Sequence, residues 1–176
     1  MTTVTVKASH TYDVTIGRGL LAQVGQTAAG LWKGRTAAVV SDTNVAPRYL
    51  DPVRASLEGA GFRVLPFVFP AGEAHKNGHT YLNLLEYLAQ EHLTRADGLI
   101  ALGGGSVIDT AKGVGMVLAQ AGSDLLDAAG CEVLPRGAHV PFVAIPTTAG
   151  TGSEATLVAV VADPANRVKM EFLSYH

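Results

Sequence analysis

LIALGGGSVIDTAKG, residues 99–113, decides how the rest of the chain is read. Its first four residues form an apolar run suited to a strand buried on both faces. Three glycines and Ser106 follow, and a helical pattern then runs over residues 106–120. In an open parallel sheet, ligands sit beyond the carboxyl ends of strands, where helix N-termini converge. Glycine has no Cβ, so Gly103, Gly104 and Gly105 let the backbone take positive φ and approach an anion closely. The first N–H groups of a helix have no partner within it and carry about half a positive charge. A pyrophosphate answers both needs. The plainer reading gives the glycines a tight turn and pairs Ser106 with Asp109 in a Ser-x-x-Asp cap. The lysine and glycine spacings fit neither a P-loop nor the GxGxxG fingerprint.

Working outward, other segments follow the same alternation. Residues 3–7 and 12–16 read as two short strands turned at Ala8–His10. Leu20, Val24, Ala28 and Leu31 recur at helical spacing, as do Leu50, Val53 and Leu57 before Gly59 and Gly61. TAAVVSD (36–42) suits a buried strand, whereas Pro66 places FRVLPFVFP (62–70) at a sheet edge. Tyr81, Leu84, Leu85 and Leu88 mark an amphipathic helix. Residues 121–140 read as loop with a short turn of helix, and VPFVAIPTT (140–148) as a strand. LVAVVAD (157–163) and VKMEFL (168–173) suit a hairpin across Pro164–Asn166. Strands alternating with helices predict a doubly wound α/β domain: a Rossmann-like parallel sheet, helices on both faces, with β-hairpin additions.

Bulk properties narrow the function classes. The 176 residues suit one domain, and 48% hydrophobic against 16% charged content supports a real core. A formal charge of −2 without a basic run argues against a nucleic-acid partner. No stretch reaches the roughly 18 apolar residues of a membrane span, and MTTVTVKASH lacks a secretory apolar core. The lone Cys131 rules out an internal disulfide framework, so a reducing cytoplasm is expected.

Two further strand ends carry polar groups. Asp42 closes VVSD, where a carboxylate accepts hydrogen bonds from a ribose diol and repels a 2′-phosphate; an N-cap for the next helix is the plainer reading. Thr147 and Thr148 place two hydroxyls after FVAIP. Three such ends on one sheet fit a dinucleotide.

Together these residues resemble the dehydroquinate synthase and iron-containing alcohol dehydrogenase superfamily along nearly the whole chain. GGGSVIDTAK (103–112) and IPTTAGTGSEAT (145–156) are similar to the dehydrogenase branch. YDVTIGRGLL (12–21), SDTNVAPRYL (41–50) and FPAGEAHKN (69–77), with its GExxK pattern, look like the synthase branch. The resemblance implies NAD as cofactor. It puts Asp42 and Asn44 on the adenosine ribose with Glu73 and Lys76 beside it. Gly104, Gly105 and Ser106 would hold the pyrophosphate, supported by Asp109. Thr147 and Thr148 would lie near the pyrophosphate and nicotinamide ribose, and Lys169 would match a lysine on the nicotinamide side.

Two departures shape the expectation. AGTGSEAT replaces a synthase segment that ends in a glycine-lysine pair and binds the phosphorylated sugar acid, which argues against dehydroquinate synthesis. The family's helical domain, which supplies the ligands for a divalent iron or zinc ion, should begin near EFLSYH, where this sequence stops. The chain therefore reads as a lone cofactor domain that binds NAD without turnover, with no catalytic and no metal-binding residue of its own; the alternative is the cofactor domain of a sugar phosphate cyclase. His75 and His79 share an i, i+4 spacing but lack a third ligand nearby. Ser153 and Glu154 lack a histidine to complete a relay. Met170 and Phe172 on one face of the last strand, together with Thr151–Thr156, suggest a surface for a second copy or for the missing domain.

Overall fold

Small and branched aliphatic residues build the centre of the sheet. In the computed structural model, which describes residues 1–7, 11–119, 130–131, 140–156, 158–163 and 168–173, β3 (Thr36–Asp42) and β5 (Gly98–Gly103) are buried along nearly their whole length. Such burial belongs to central parallel strands covered on both faces. They are flanked by β4 (Arg63–Phe69) and β7 (Phe142–Pro146) in the order β4-β3-β5-β7, every pair parallel. Pro66 sits on edge strand β4 opposite Val39, where its missing N–H costs no ladder bond on the outer side.

The two-residue period of β3 sends alternate side chains to opposite layers. Ala37 and Val39 meet Val24, Ala28 and Trp32 around α1 (Val24–Leu31), with Val53 and Leu57 of α2 (Ala46–Gly59). Ala38 and Val40 meet Tyr81, Leu84 and Leu88 of α3 (Gly78–Gln90) and Val107, Ile108 and Ala111 of α4 (Gly105–Ala119). The result is the expected doubly wound, Rossmann-like α/β sheet. A 3-10 turn at Leu20–Gln23 opens the first helical segment, so the predicted helix begins one turn late as α-helix.

Two further sheets are added. β1 (Thr2–Lys7) and β2 (Thr11–Ile16) form an antiparallel pair, as do β8 (Val158–Asp163) and β9 (Val168–Leu173). The expected loop across 121–140 is interrupted by β6 (Gly130–Cys131), which pairs in parallel with Phe172 and Leu173 of β9. A strand of two residues has no periodicity to betray it. The turns expected at residues 8–10 and 164–166, and the rest of 121–139, lie outside the described residues.

Strand order creates the place for a ligand. From β3 the chain crosses over α2 to β4 on one side, then returns over α3 to β5 on the other. Outgoing connections of β3 and β5 therefore diverge, and a crevice opens at their carboxyl ends. The hydroxyl of Ser41 donates to the Leu102 carbonyl at 2.8 Å and pins those two ends together. At the opposite edge, buried Asp97 accepts from the Thr36 and Thr94 amides at 3.0 and 2.9 Å and from the Thr94 hydroxyl at 2.7 Å. Burial pushes its pKa up, but these bonds outweigh it and hold the carboxyl below its ordinary value. Asp97 is thus a charged staple between the starts of β3 and β5.

Candidate cofactor site at the strand ends

The glycine turn joins β5 to α4 at the crevice, and its residues have a tighter role than the sequence suggested. None of Gly103, Gly104 and Gly105 has positive φ. What they lack room for is a side chain. A Cβ on Gly103 would stand 2.5 Å from the Val107 side chain, and one on Gly104 would stand 2.8 Å from Thr148 Oγ1. A Cβ on Gly105 would meet Ser153 Oγ at 3.1 Å and Thr151 at 3.3 Å. Gly103 thus admits Val107 of α4, and Gly104 and Gly105 admit the segment 147–156, which folds down over the turn. Its own bends use the left-handed region at Gly150 and Gly152 (φ 92° and 66°), and the Ala155 and Thr156 amides close back on the Gly152 carbonyl.

Beneath that segment α4 begins. The Val107 and Ile108 amides bond to the Gly104 carbonyl at 3.1 and 3.0 Å, whereas the opening amides of Gly105 and Ser106 have no acceptor within the helix. The Ser-x-x-Asp cap does not form. Ser106 Oγ donates to Glu73 Oε2 at 2.7 Å, and Asp109 Oδ2 accepts from Lys76 Nζ at 3.2 Å. Glu73 arrives on a 3-10 turn, Glu73–His75, and Asn77 then starts α3 by accepting from the Thr80 amide at 3.1 Å.

These contacts gather four of the sequence-predicted residues into one network. Lys76 is 6% exposed and Asp109 likewise 6%, so the pair is shielded from water. Lys76 also meets Glu73 Oε1 at 2.9 Å. Burial lowers the Lys76 pKa, but hydrogen bonds to Glu73 and Asp109 outweigh it and hold the ammonium above its ordinary value. Lys112, one turn further on, lies 3.6 Å from Asp109 Oδ1 and donates to the Thr156 carbonyl at 3.1 Å and its hydroxyl at 3.3 Å. Here burial dominates, and the Lys112 pKa falls below its ordinary value despite Asp109.

Asp42 ends β3 across the crevice. Its Oδ1 accepts from the Asn44 and Val45 amides at 2.8 and 3.0 Å and closes the turn before α2; the plainer N-cap reading does not hold, because the helix is capped at Val45 without a side-chain bond. Asn44 is exposed in the same turn. Thr147 follows β7 with its hydroxyl buried and unpartnered among the described residues. It lines an open cleft of about 320 Å³ together with Leu21, Tyr49, Leu102, Ile145 and Pro146. Lys169 stands apart: it is placed on β9 in register with Ala162, in the separate three-stranded sheet.

The remaining candidates find ordinary places. His75 and His79 are exposed, and the His79 ring pairs with Asn83 Nδ2 at 3.2 Å. Ser153 is buried, and Glu154 accepts from the Thr151 hydroxyl at 3.5 Å. Among the described residues, no three His, Cys, Asp or Glu side chains come together as a metal-ligand group. Sequence reasoning missed Ser41, Tyr49 and Lys112. Only Lys112 carried a signal, three residues after Asp109 on one helix face.

The family model described as iron-containing alcohol dehydrogenase matches residues 12–176. A 3-dehydroquinate synthase of Streptococcus pneumoniae is 46% identical over 139 residues, covering 79% of this chain and 34% of that protein. A solved 1,3-propanediol oxidoreductase superposes with a TM-score of 0.76 at 30% identity, over 90% of this chain and 40% of its own. A sulfoacetaldehyde reductase from Bifidobacterium kashiwanohense, solved in complex with NAD+, gives a TM-score of 0.71 at 25% identity over 90% of this chain and 40% of its own. The chain thus spans about a third of the length of the curated relatives it matches.

Proposed function

The chain belongs to the iron-containing alcohol dehydrogenase family, and on that premise we propose that it forms the NAD(H)-binding domain of a metal-dependent, NAD-linked alcohol dehydrogenase-like protein. The observation that carries the reading is the crevice itself. At a topological switch point, a glycine turn opens α4 beside a cleft of about 320 Å³ whose buried Thr147 hydroxyl has no partner among the described residues. A dinucleotide answers that arrangement: its pyrophosphate meets the opening amides of α4, and the Thr147 hydroxyl gains an acceptor.

Each residue then has a task. Gly104 and Gly105 add no side chain of their own to the approach to α4, beneath segment 147–156. Asp42 offers its second carboxylate oxygen to a ribose diol, and Glu73 and Lys76 line the neighbouring wall. Once bound, nicotinamide supplies a two-electron hydride acceptor or donor. The family's metal does not fit the described residues, because they offer no donor set for one. Binding and orientation of the cofactor are what the described residues would contribute.

A second reading, the cofactor domain of a dehydroquinate synthase-like cyclase, draws support from the 46% identity to the streptococcal enzyme. Both readings require NAD, so nucleotide binding tests what they share. Calorimetric titration is expected to show NAD+ binding and weaker NADP+ binding. Asp42→Ala is expected to narrow that gap to within about threefold, because the carboxylate no longer repels a 2′-phosphate. Equal affinities for the two nucleotides in the wild type would remove Asp42 from the assignment.

A further inference from the structure

We propose that Lys112 is a positioning residue that latches the far end of segment 147–156 onto α4 and thereby sets the gap in which phosphates lie. The proposal rests on the dinucleotide reading above for the identity of those phosphates, and on contacts of this chain alone for the latch.

The segment touches the glycine turn near its beginning and middle, through Thr148 above Gly104 and Thr151 and Ser153 above Gly105. The far end of the segment is fixed separately, two residues before β8 begins. Lys112 supplies that fixation with two bonds to one residue, the carbonyl and hydroxyl of Thr156. Its side chain is only 14% exposed, so the ammonium has given up most of its hydration to make these contacts. A lysine on a helix facing water would keep its head in solvent.

The same ammonium lies 3.6 Å from Asp109 Oδ1, while Asp109 Oδ2 takes Lys76 at 3.2 Å. One buried carboxylate therefore collects both walls of the crevice. Lys76 ties in the 3-10 turn that carries Glu73, and Lys112 ties in segment 147–156. Among the described residues, the charges facing Lys112 include those of Asp109, Glu154 and Lys76. This division of labour gives Lys112 a role separate from any contact with nucleotide. It holds the roof rather than the ligand.

The test compares wild type, Lys112→Met, Lys112→Arg and Thr156→Val by amide hydrogen exchange without nucleotide, and by titration with ADP and with adenosine. Lys112→Met keeps the apolar stem and removes the two bonds. It is expected to speed exchange in residues 148–156 by about tenfold or more while exchange in β3 and β5 stays unchanged. ADP affinity is expected to fall about tenfold and adenosine affinity by less than about twofold, because only ADP carries the pyrophosphate. Lys112→Arg retains a donor and should recover most of both effects; Thr156→Val, which loses one of two acceptors, should fall between.

Unchanged exchange across 148–156 in both Lys112→Met and Thr156→Val overturns the latch. An equal loss of ADP and adenosine affinity, or faster exchange throughout the sheet, assigns Lys112 to general stability and also overturns it. Should the wild type bind no ADP, the dinucleotide reading falls along with the phosphate half of the proposal. The exchange comparison then judges the latch on its own.

Discussion

Gly104→Val is expected to reduce NAD+ affinity by more than about 100-fold, near 2.8 kcal/mol, while leaving the fold intact. The reasoning is steric. A Cβ at this position already stands 2.8 Å from Thr148 Oγ1, closer than carbon approaches a non-bonded oxygen. Thr148 is exposed, so its hydroxyl turns aside for a single methyl, and Gly104→Ala should cost far less. Valine adds two methyl groups. They must either push segment 147–156 off the turn or fill the approach to the opening amides of α4. Both outcomes exclude a pyrophosphate, and neither disturbs the layers of the sheet. Calorimetry with NAD+ and a thermal melt of the same sample separate the two effects. A variant that binds like the wild type would show that the turn is not where phosphate sits.

The second large effect concerns the buried carboxylate. Asp109→Asn removes one charge without changing volume, and it strips Lys76 and Lys112 of a shared partner. Breaking a buried ion pair from one side costs roughly 3–5 kcal/mol. Glu73 remains 2.9 Å from Lys76, so the expected loss lies at the low end, about 3 kcal/mol. For a chain of this length that loss lowers the melting temperature by about 6–12 °C. Lys76→Met added to Asp109→Asn should restore part of the loss, giving a coupling above about 1 kcal/mol.

The pH dependence of that loss has a definite sign. Lys76 has a folded pKa raised above its ordinary 10.5, so its pairing stabilises the fold fully below the unfolded value. The contribution disappears as pH rises through the folded pKa. The stability gap between wild type and Asp109→Asn should therefore stay level from about pH 7 to 9 and narrow above about pH 10.5. Denaturant unfolding at several pH values measures it. A gap that widens in alkali would mean that Lys76 is not the partner being lost.

Much of this architecture was legible in the sequence, for identifiable reasons. TAAVVSD and the LIAL run are short stretches of small and branched apolar residues bounded by turn signals, a pattern that suits a strand covered on two faces. Pro66 marked the sheet edge because a proline in mid-strand is harmless where its lost donor faces away from a partner strand. The strand ends were legible too, since Asp42, the glycine turn and Thr147 stand out against apolar neighbours.

Other features were hidden because they depend on distant contacts. Gly103–Gly105 signalled a special turn, but their φ values are not positive; Val107 leaves Gly103 no room for a side chain, and residues 148, 151 and 153, more than forty positions away, do the same at Gly104 and Gly105. Ser106 and Asp109 have the spacing of a cap, yet Glu73 and Lys76 claim them across the fold. Local spacing cannot foresee such competition. Gly130–Cys131 escaped notice because pairing with β9, not intrinsic pattern, makes it a strand. Lys112 looked like any helix-face cation until the segment ending at Thr156 folded over it.

The account stands most directly on where a dinucleotide touches the chain. Amide NMR of the 176-residue chain titrated with NAD+ reads that position residue by residue. The prediction is that the largest shifts fall on Gly104, Gly105 and Ser106, with a second group at Thr147–Ser153 and a third around Asp42. Saturating shifts confined to other surfaces, or none at all, would contradict the assignment of the strand ends as a dinucleotide site.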